Sequence, residues 1–227
     1  MTDSAMRELE DDPSSRKRFF KMMGGAGAVS AFSVFLAACG DDDDESGSTP
    51  EESTDSGDTE GDIAVLNYAL TLEFLEADFY KQVIDSGIVT DPAQVSIAKK
   101  FGETEQEHVD GLIANIEKMG GTPVTAPTTK FQPTLDKGLM AVLETAATVE
   151  NLGAAAYLGA AGRIKSKEVL ATALAIHSVE ARHAAALNML VGRGFQAKGG
   201  QGSVPDGAFA MGMDEDAVLK AVQPFLA

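Results

Sequence analysis

Ile176-His-Ser-Val-Glu-Ala-Arg-His-Ala-Ala-Ala-Leu187 decides how the rest of the chain is read. It lies in a long Ala/Leu/Val-rich stretch of helical period, yet Glu180 and His183 stand at its centre, three residues apart. On an α-helix that spacing places both side chains on one face, about a turn apart. A carboxylate in an apolar setting needs a partner, because burying it alone costs several kcal/mol, roughly. A divalent ion held between a Glu oxygen and a His nitrogen is such a partner. The same spacing recurs at Glu105-Gln-Glu-His108, so two of the three histidines of the chain follow a glutamate by three.

The helical pattern extends on both sides of these motifs. Asp62 is a cap for a helix to about Ser86, with Gly87 as its stop. Asp91-Pro92, a cap followed by proline at the first helical position, opens a second helix that Gly120-Gly121 closes. Residues 122–134 hold Pro123, Pro127 and Pro133 and read as an extended crossover. A third helix is expected from about Leu135 to Ala161, and Ser166 caps a fourth that ends near Gly192. Tight links make each pair antiparallel, and the long crossover joins the pairs. The expected fold is all-α: an antiparallel four-helix bundle with one long crossover over residues 63–191. A tail, residues 192–227, follows, with a short helix near 214–222 expected to cover one end of the bundle.

The two halves repeat. Thr71, Glu73, Leu75, Ala77 and Tyr80 of the first helix recur as Thr148, Glu150, Leu152, Ala154 and Tyr157 of the third. Glu105/His108 recur as Glu180/His183. Each half therefore supplies one lone Glu and one Glu-x-x-His, all near the midpoints of their helices. In an antiparallel bundle the midpoints meet at one level, so four carboxylates and two imidazoles converge there. Two divalent ions would neutralise carboxylates that otherwise repel.

Each position also has an ordinary reading. Glu105 sits among Glu103 and Glu107 on what reads as a solvated face, and Glu180 has Arg182 nearby as a surface partner. Glu76 competes with Glu73, but the repeat has Gly153 at its place, so Glu76 is expected beside the site or exposed. His177 lies far round the helix from His183 and reads as a core or rim residue. Tyr80 and Tyr157, two turns after Glu73 and Glu150, read as core residues that can also hydrogen-bond a ligand.

With these residues in place, the chain resembles the ferritin-like di-metal carboxylate superfamily, in which two helices give a Glu each and two give a Glu-x-x-His. The resemblance covers residues 63–191 and fills all six positions. It implies two divalent ions, iron or manganese, held by Glu73, Glu105, His108, Glu150, Glu180 and His183. Glu105 and Glu180 would bridge the ions and carry the reaction, Glu73 and Glu150 would bind terminally, and each His would hold one ion. The implied chemistry is reaction with dioxygen or peroxide, of ferroxidase, peroxidase or catalase type. No Cys-rich rubredoxin-like segment is present to act as a built-in electron donor. The alternative is a non-enzymatic cell-envelope stress or structural protein whose bundle is metal-stabilised or metal-free.

Charge and composition frame the remainder. The net charge is −17. Residues 40–62 hold eleven acids and no base, and residues 1–38 balance five acids with five bases, leaving −6 for the rest. A mildly acidic domain without a basic stripe argues against nucleic-acid binding. The single cysteine, Cys39, excludes an internal disulfide. Ser15-Arg16-Lys17-Arg18-Phe19-Phe20-Lys21 resembles a twin-arginine export pattern with Lys17 in place of the second arginine. An apolar segment then runs to Leu36-Ala37-Ala38-Cys39, which is similar to a bacterial lipobox. Residues 1–38 are thus expected to be an export signal and Cys39 a lipidated N-terminus. Residues 39–62 would be a disordered acidic tether. The expected location is the outer face of the cytoplasmic membrane or the periplasm, held through the lipid.

Overall fold

The computed structural model describes residues 58–194 and 209–227. The export signal, Cys39 and all but the last residues of the expected tether lie outside the described residues. The described chain is an antiparallel four-helix bundle, as the periodicity indicates. Its principal helices are α1 (Thr59–Ser86), α2 (Pro92–Lys118), α4 (Leu139–Ala160) and α5 (Lys167–Leu190). Two short helices, α3 (Gln132–Leu135) and α6 (Glu215–Val222), complete it. None of the described helices is long and apolar enough to cross a membrane.

Local chemistry sets the ends. Asp91 accepts from the amides of Ala93 and Gln94, both at 3.0 Å, and Pro92 fills the first helical position of α2. Ser166 Oγ accepts from Val169 N and caps α5. Two boundaries differ from expectation. Helix α1 begins at Thr59, not after Asp62, because Asp58 takes the cap position and accepts from Gly61 N. Asp62 is instead 1% exposed, and its carboxylate accepts from Lys165 N at 2.8 Å and Ser166 N at 2.7 Å. It therefore ties the start of α1 to the start of α5, where a negative charge suits the helix N-terminus. The third long helix begins at Leu139, because Gly138 adopts a φ of 93° and separates the turn α3 from α4.

The crossover is extended and pinned by side chains. Asn67 donates to Thr122 O and accepts from Val124 N, while the Thr129 hydroxyl donates to Asp78. Thr129 also forms an isolated antiparallel bridge with Leu226 of the C-terminal segment. That segment lies along the side of α4 rather than over a bundle end as expected. Met213 N donates to Ala155 O at 2.9 Å near one end of α4, and Phe225 stacks on Phe131 near the other. Val218 and Val222 are buried between them, in the cluster that includes Val142. The approach requires Gly159, because a Cβ there would overlap the backbone of Met213.

The apolar core is in two parts. Val65, Leu66, Leu112, Ile116, Val169 and Ile176 pack toward one end of the four helices, and Phe79, Val83, Val142 and Leu187 toward the other. A fully buried side chain of this size contributes about 2 kcal/mol. Between the two parts lies a polar layer.

Candidate metal centre

All six candidate ligands lie in that layer. Glu73, Glu105, Glu150 and Glu180 have no solvent exposure, and His108 and His183 retain 9% and 6%. Long helices with apolar residues at both ends carry these side chains inward at mid-height, so the surrounding core fixes where they meet.

The contacts form two overlapping groups. In one, His108 Nδ1 lies 3.1 Å from Glu73 Oε2, 2.9 Å from Glu105 Oε2 and 3.2 Å from Glu180 Oε1. In the other, His183 Nδ1 lies 2.8 Å from Glu105 Oε1 and 3.2 Å from Glu150 Oε2. Glu73, Glu105, His108 and Glu180 bring donor atoms within 4.8 Å of one another, and so do Glu105, Glu150, Glu180 and His183. Glu105 and Glu180 belong to both groups. Glu73 and His108 belong only to the first, and Glu150 and His183 only to the second.

The residues leave buried polar atoms that a cation would satisfy. Glu105 Oε1, Glu150 Oε2, both oxygens of Glu180 and His183 Nδ1 are buried without a hydrogen-bond partner. His183 Nδ1 comes close to two carboxylates, yet without hydrogen-bond alignment. Neighbouring ligands about 2.1 Å from a common ion stand about 3 Å apart, which is the spacing observed. Orphaned buried acceptors are rare in folded proteins, and oxygen and imidazole nitrogen donors suit divalent iron or manganese.

Electrostatics carries the same message. Burial pushes Glu73 up to about 7, against the opposing pull of His108. Burial, with repulsion from neighbouring carboxylates, drives Glu150 and Glu180 well above the usual carboxylate range. Burial disfavours the charged His108, but close contact with the carboxylates of Glu105, Glu180 and Glu73 prevails and pushes it up to about 12. Glu105 is buried too, yet its contacts with His108 and His183 lower it to about 2. Without metal, the cluster retains protons on several of its groups. Two divalent ions supply four positive charges and can take the place of those protons.

The two tyrosines cross the bundle. The hydroxyl of Tyr80, on α1, donates to Glu150 Oε1 on α4. The hydroxyl of Tyr157, on α4, donates to Glu73 Oε1 on α1 at 2.5 Å. The sequence repeat marks both as hydrogen-bonding candidates without showing this exchange between helix pairs. Phe101 stacks on the His183 ring, centroids 3.8 Å apart. His177 stays outside the cluster, its Nδ1 3.0 Å from Ala154 O.

Of the two places expected for Glu76, the structure gives the one beside the site. Glu76 is 2% exposed, with Oε2 unpartnered, and burial with repulsion from Glu180 holds it well above the usual carboxylate range. The signal in the sequence was its repeat partner, Gly153. A surface groove of about 700 Å³ lies between Lys81, Lys99, Glu103 and Thr129 and includes none of the six candidate ligands.

Residues 61–193 match the family model described as ferritin-like domain. No curated protein sequence matches the chain. Among solved structures, "ferritin like, diiron-carboxylate proteins from Bacillus anthracis str. Ames" aligns with a TM-score of 0.52 at 20% identity. The alignment covers 60% of this chain and 98% of that one, and it shows a shared fold.

Proposed function

The chain belongs to the ferritin-like domain family, and we propose that its polar layer holds two divalent ions, iron or manganese, that react with dioxygen or peroxide. The observation that carries this reading is the convergence of six buried Glu and His side chains, four of which (Glu105, Glu150, Glu180 and His183) hold buried polar atoms without a hydrogen-bond partner. The diiron-carboxylate description of the Bacillus anthracis neighbour agrees with it. Such ions supply open coordination positions for an oxygen ligand and a shared change in oxidation state.

The chain's residues then have distinct tasks. Glu105 and Glu180, common to both groups, would bridge the two ions and carry the reaction. Glu73 and Glu150 bind terminally, each steadied by a tyrosine hydroxyl from the other half of the repeat. His108 and His183 each serve one ion through Nδ1. The apolar layers above and below exclude water and strengthen every electrostatic contact between them. The test is metal content after purification, followed by oxygen or peroxide consumption by the loaded protein. Two bound ions with no turnover would favour a structural role in the cell envelope.

The domain works, on this proposal, outside the cytoplasm on a lipid tether at Cys39. Leu36-Ala37-Ala38-Cys39 and the acidic run after it support this. One acyl chain binds membranes only marginally, so stable anchoring needs more than one. Cys39→Ala is expected to release the protein from the membrane fraction. Mass spectrometry finding an unmodified Cys39 thiol in membrane-bound protein would contradict the tether.

A further inference from the structure

The internal repeat breaks at one functional position. Glu76 follows Glu73 by three residues on α1, whereas Gly153 follows Glu150 by three on α4. The two positions meet in the core. A Cβ built on Gly153 would lie 3.0 Å from Glu76 Oε1 and 2.7 Å from Glu180 Oε2. Glycine therefore leaves a cradle in which a carboxylate from α1 and one from α5 lie side by side, and any larger residue would displace one of them.

A carboxylate in such a place calls for a partner. Glu76 is 2% exposed and its Oε2 has no hydrogen bond. No lysine or arginine reaches it among the ion pairs of the described residues. An unpaired carboxylate is among the most costly groups a core can bury. An apolar residue like its neighbours Leu72, Leu75 and Phe79 would pack the position at no such cost. A cation at the centre supplies the missing partner.

We propose that Glu76 is a seventh ligand of the centre, reaching an ion through Oε2 beside Glu180, and that Gly153 reserves its place. The proposal rests on the two-ion reading above and deepens it. It makes the two halves of the centre inequivalent, since only α1 supplies the extra carboxylate. Five carboxylates carry one negative charge more than two divalent ions offset. Glu76 thus biases the site toward a pair of ions of higher total charge, or toward keeping one proton.

The experiment is a competition titration of the metal-free full chain with Mn(II). It compares wild type, Glu76→Gln, Gly153→Ala and the outlying control His177→Ala, with helicity followed by circular dichroism. Wild type and the control are expected to bind two ions alike. Glu76→Gln should keep its helices and bind one ion about 10- to 100-fold more weakly. Gly153→Ala should lose at least as much at the same ion, since its methyl displaces Glu76 and presses on Glu180. If Glu76→Gln does not fold, Glu76→Asp, which keeps the charge and shortens the reach, is expected to show the weakened ion. Two tight ions in wild type, with Glu76→Gln or Glu76→Asp within about twofold of it at both, would overturn the seventh ligand and leave the six-residue centre standing. Wild type binding no ion would remove both together.

Discussion

The hydroxyl of Tyr157 on α4 donates to Glu73 Oε1 on α1 at 2.5 Å, so a buried carboxylate of one half of the repeat is steadied by the other half. Tyr80 does the same for Glu150 in the reverse direction. The reciprocal exchange locks the two helix pairs at the level of the candidate centre. It also leaves each of these carboxylates one oxygen, Glu73 Oε2 or Glu150 Oε2, facing a histidine.

Tyr157→Phe removes that donor and retains the ring packing. A hydrogen bond to a charged group is worth about 1.5–3 kcal/mol, and its loss should appear as a lower denaturation midpoint. Metal binding should weaken at the ion held by Glu73 and His108 and much less at the other, with Tyr80→Phe giving the opposite pattern. A site-resolved Mn(II) titration checks both.

Without metal, the domain should be most stable in mild acid. Glu73 has its pKa raised from 4.5 to about 7, so its contribution is fully present below 4.5 and lost as pH rises through about 7. At about 1.4 kcal/mol per unit this is a few kcal/mol. Glu76, Glu150 and Glu180 are raised as well and add to the same fall. The His108 contribution, raised from 6.5 to about 12, is complete below 6.5 and fades as pH climbs through 12. Glu105, lowered from 4.5 to about 2, acts oppositely: its contribution is complete above 4.5 and is lost as pH falls from there through about 2. Metal-loaded protein should show the reverse trend near neutrality, because protons compete with the ions. Thermal melts of both forms between pH 4 and 8 measure it.

Gly159→Ala should detach the C-terminal segment from α4 without touching the centre. The added methyl meets the Met213 backbone, and overpacking of this kind costs typically 1–3 kcal/mol, roughly. Chemical denaturation should register the loss while metal stoichiometry stays at the wild-type value.

The bundle and the six-residue layer were legible because their signals are local or repeated. Caps such as Asp91-Pro92 and Ser166 act within a turn of themselves. Glu150, the only charged residue between Thr145 and Gly162, has little claim to a surface place. What escaped depends on partners far along the chain. Asp62 read as a cap or the last acid of a tether, yet it binds amides more than a hundred residues away. Glu76 read as a residue beside the site or exposed, and the sequence does not choose between them because the space it fills is created by the missing side chain of Gly153. The exchange of tyrosines between helix pairs needs the relative rotation of α1 and α4, which periodicity does not contain.

The most direct measurement of the central claim is the number of ions per folded chain after anaerobic loading of metal-free protein with Fe(II) or Mn(II). It should be made on wild type, His183→Ala and Glu180→Ala. Two ions in wild type are expected. His183→Ala should be partly loaded, since that imidazole serves one ion, and Glu180→Ala should disturb both, since that carboxylate belongs to both groups. A wild-type bundle with full helicity and close to zero bound metal would contradict the account.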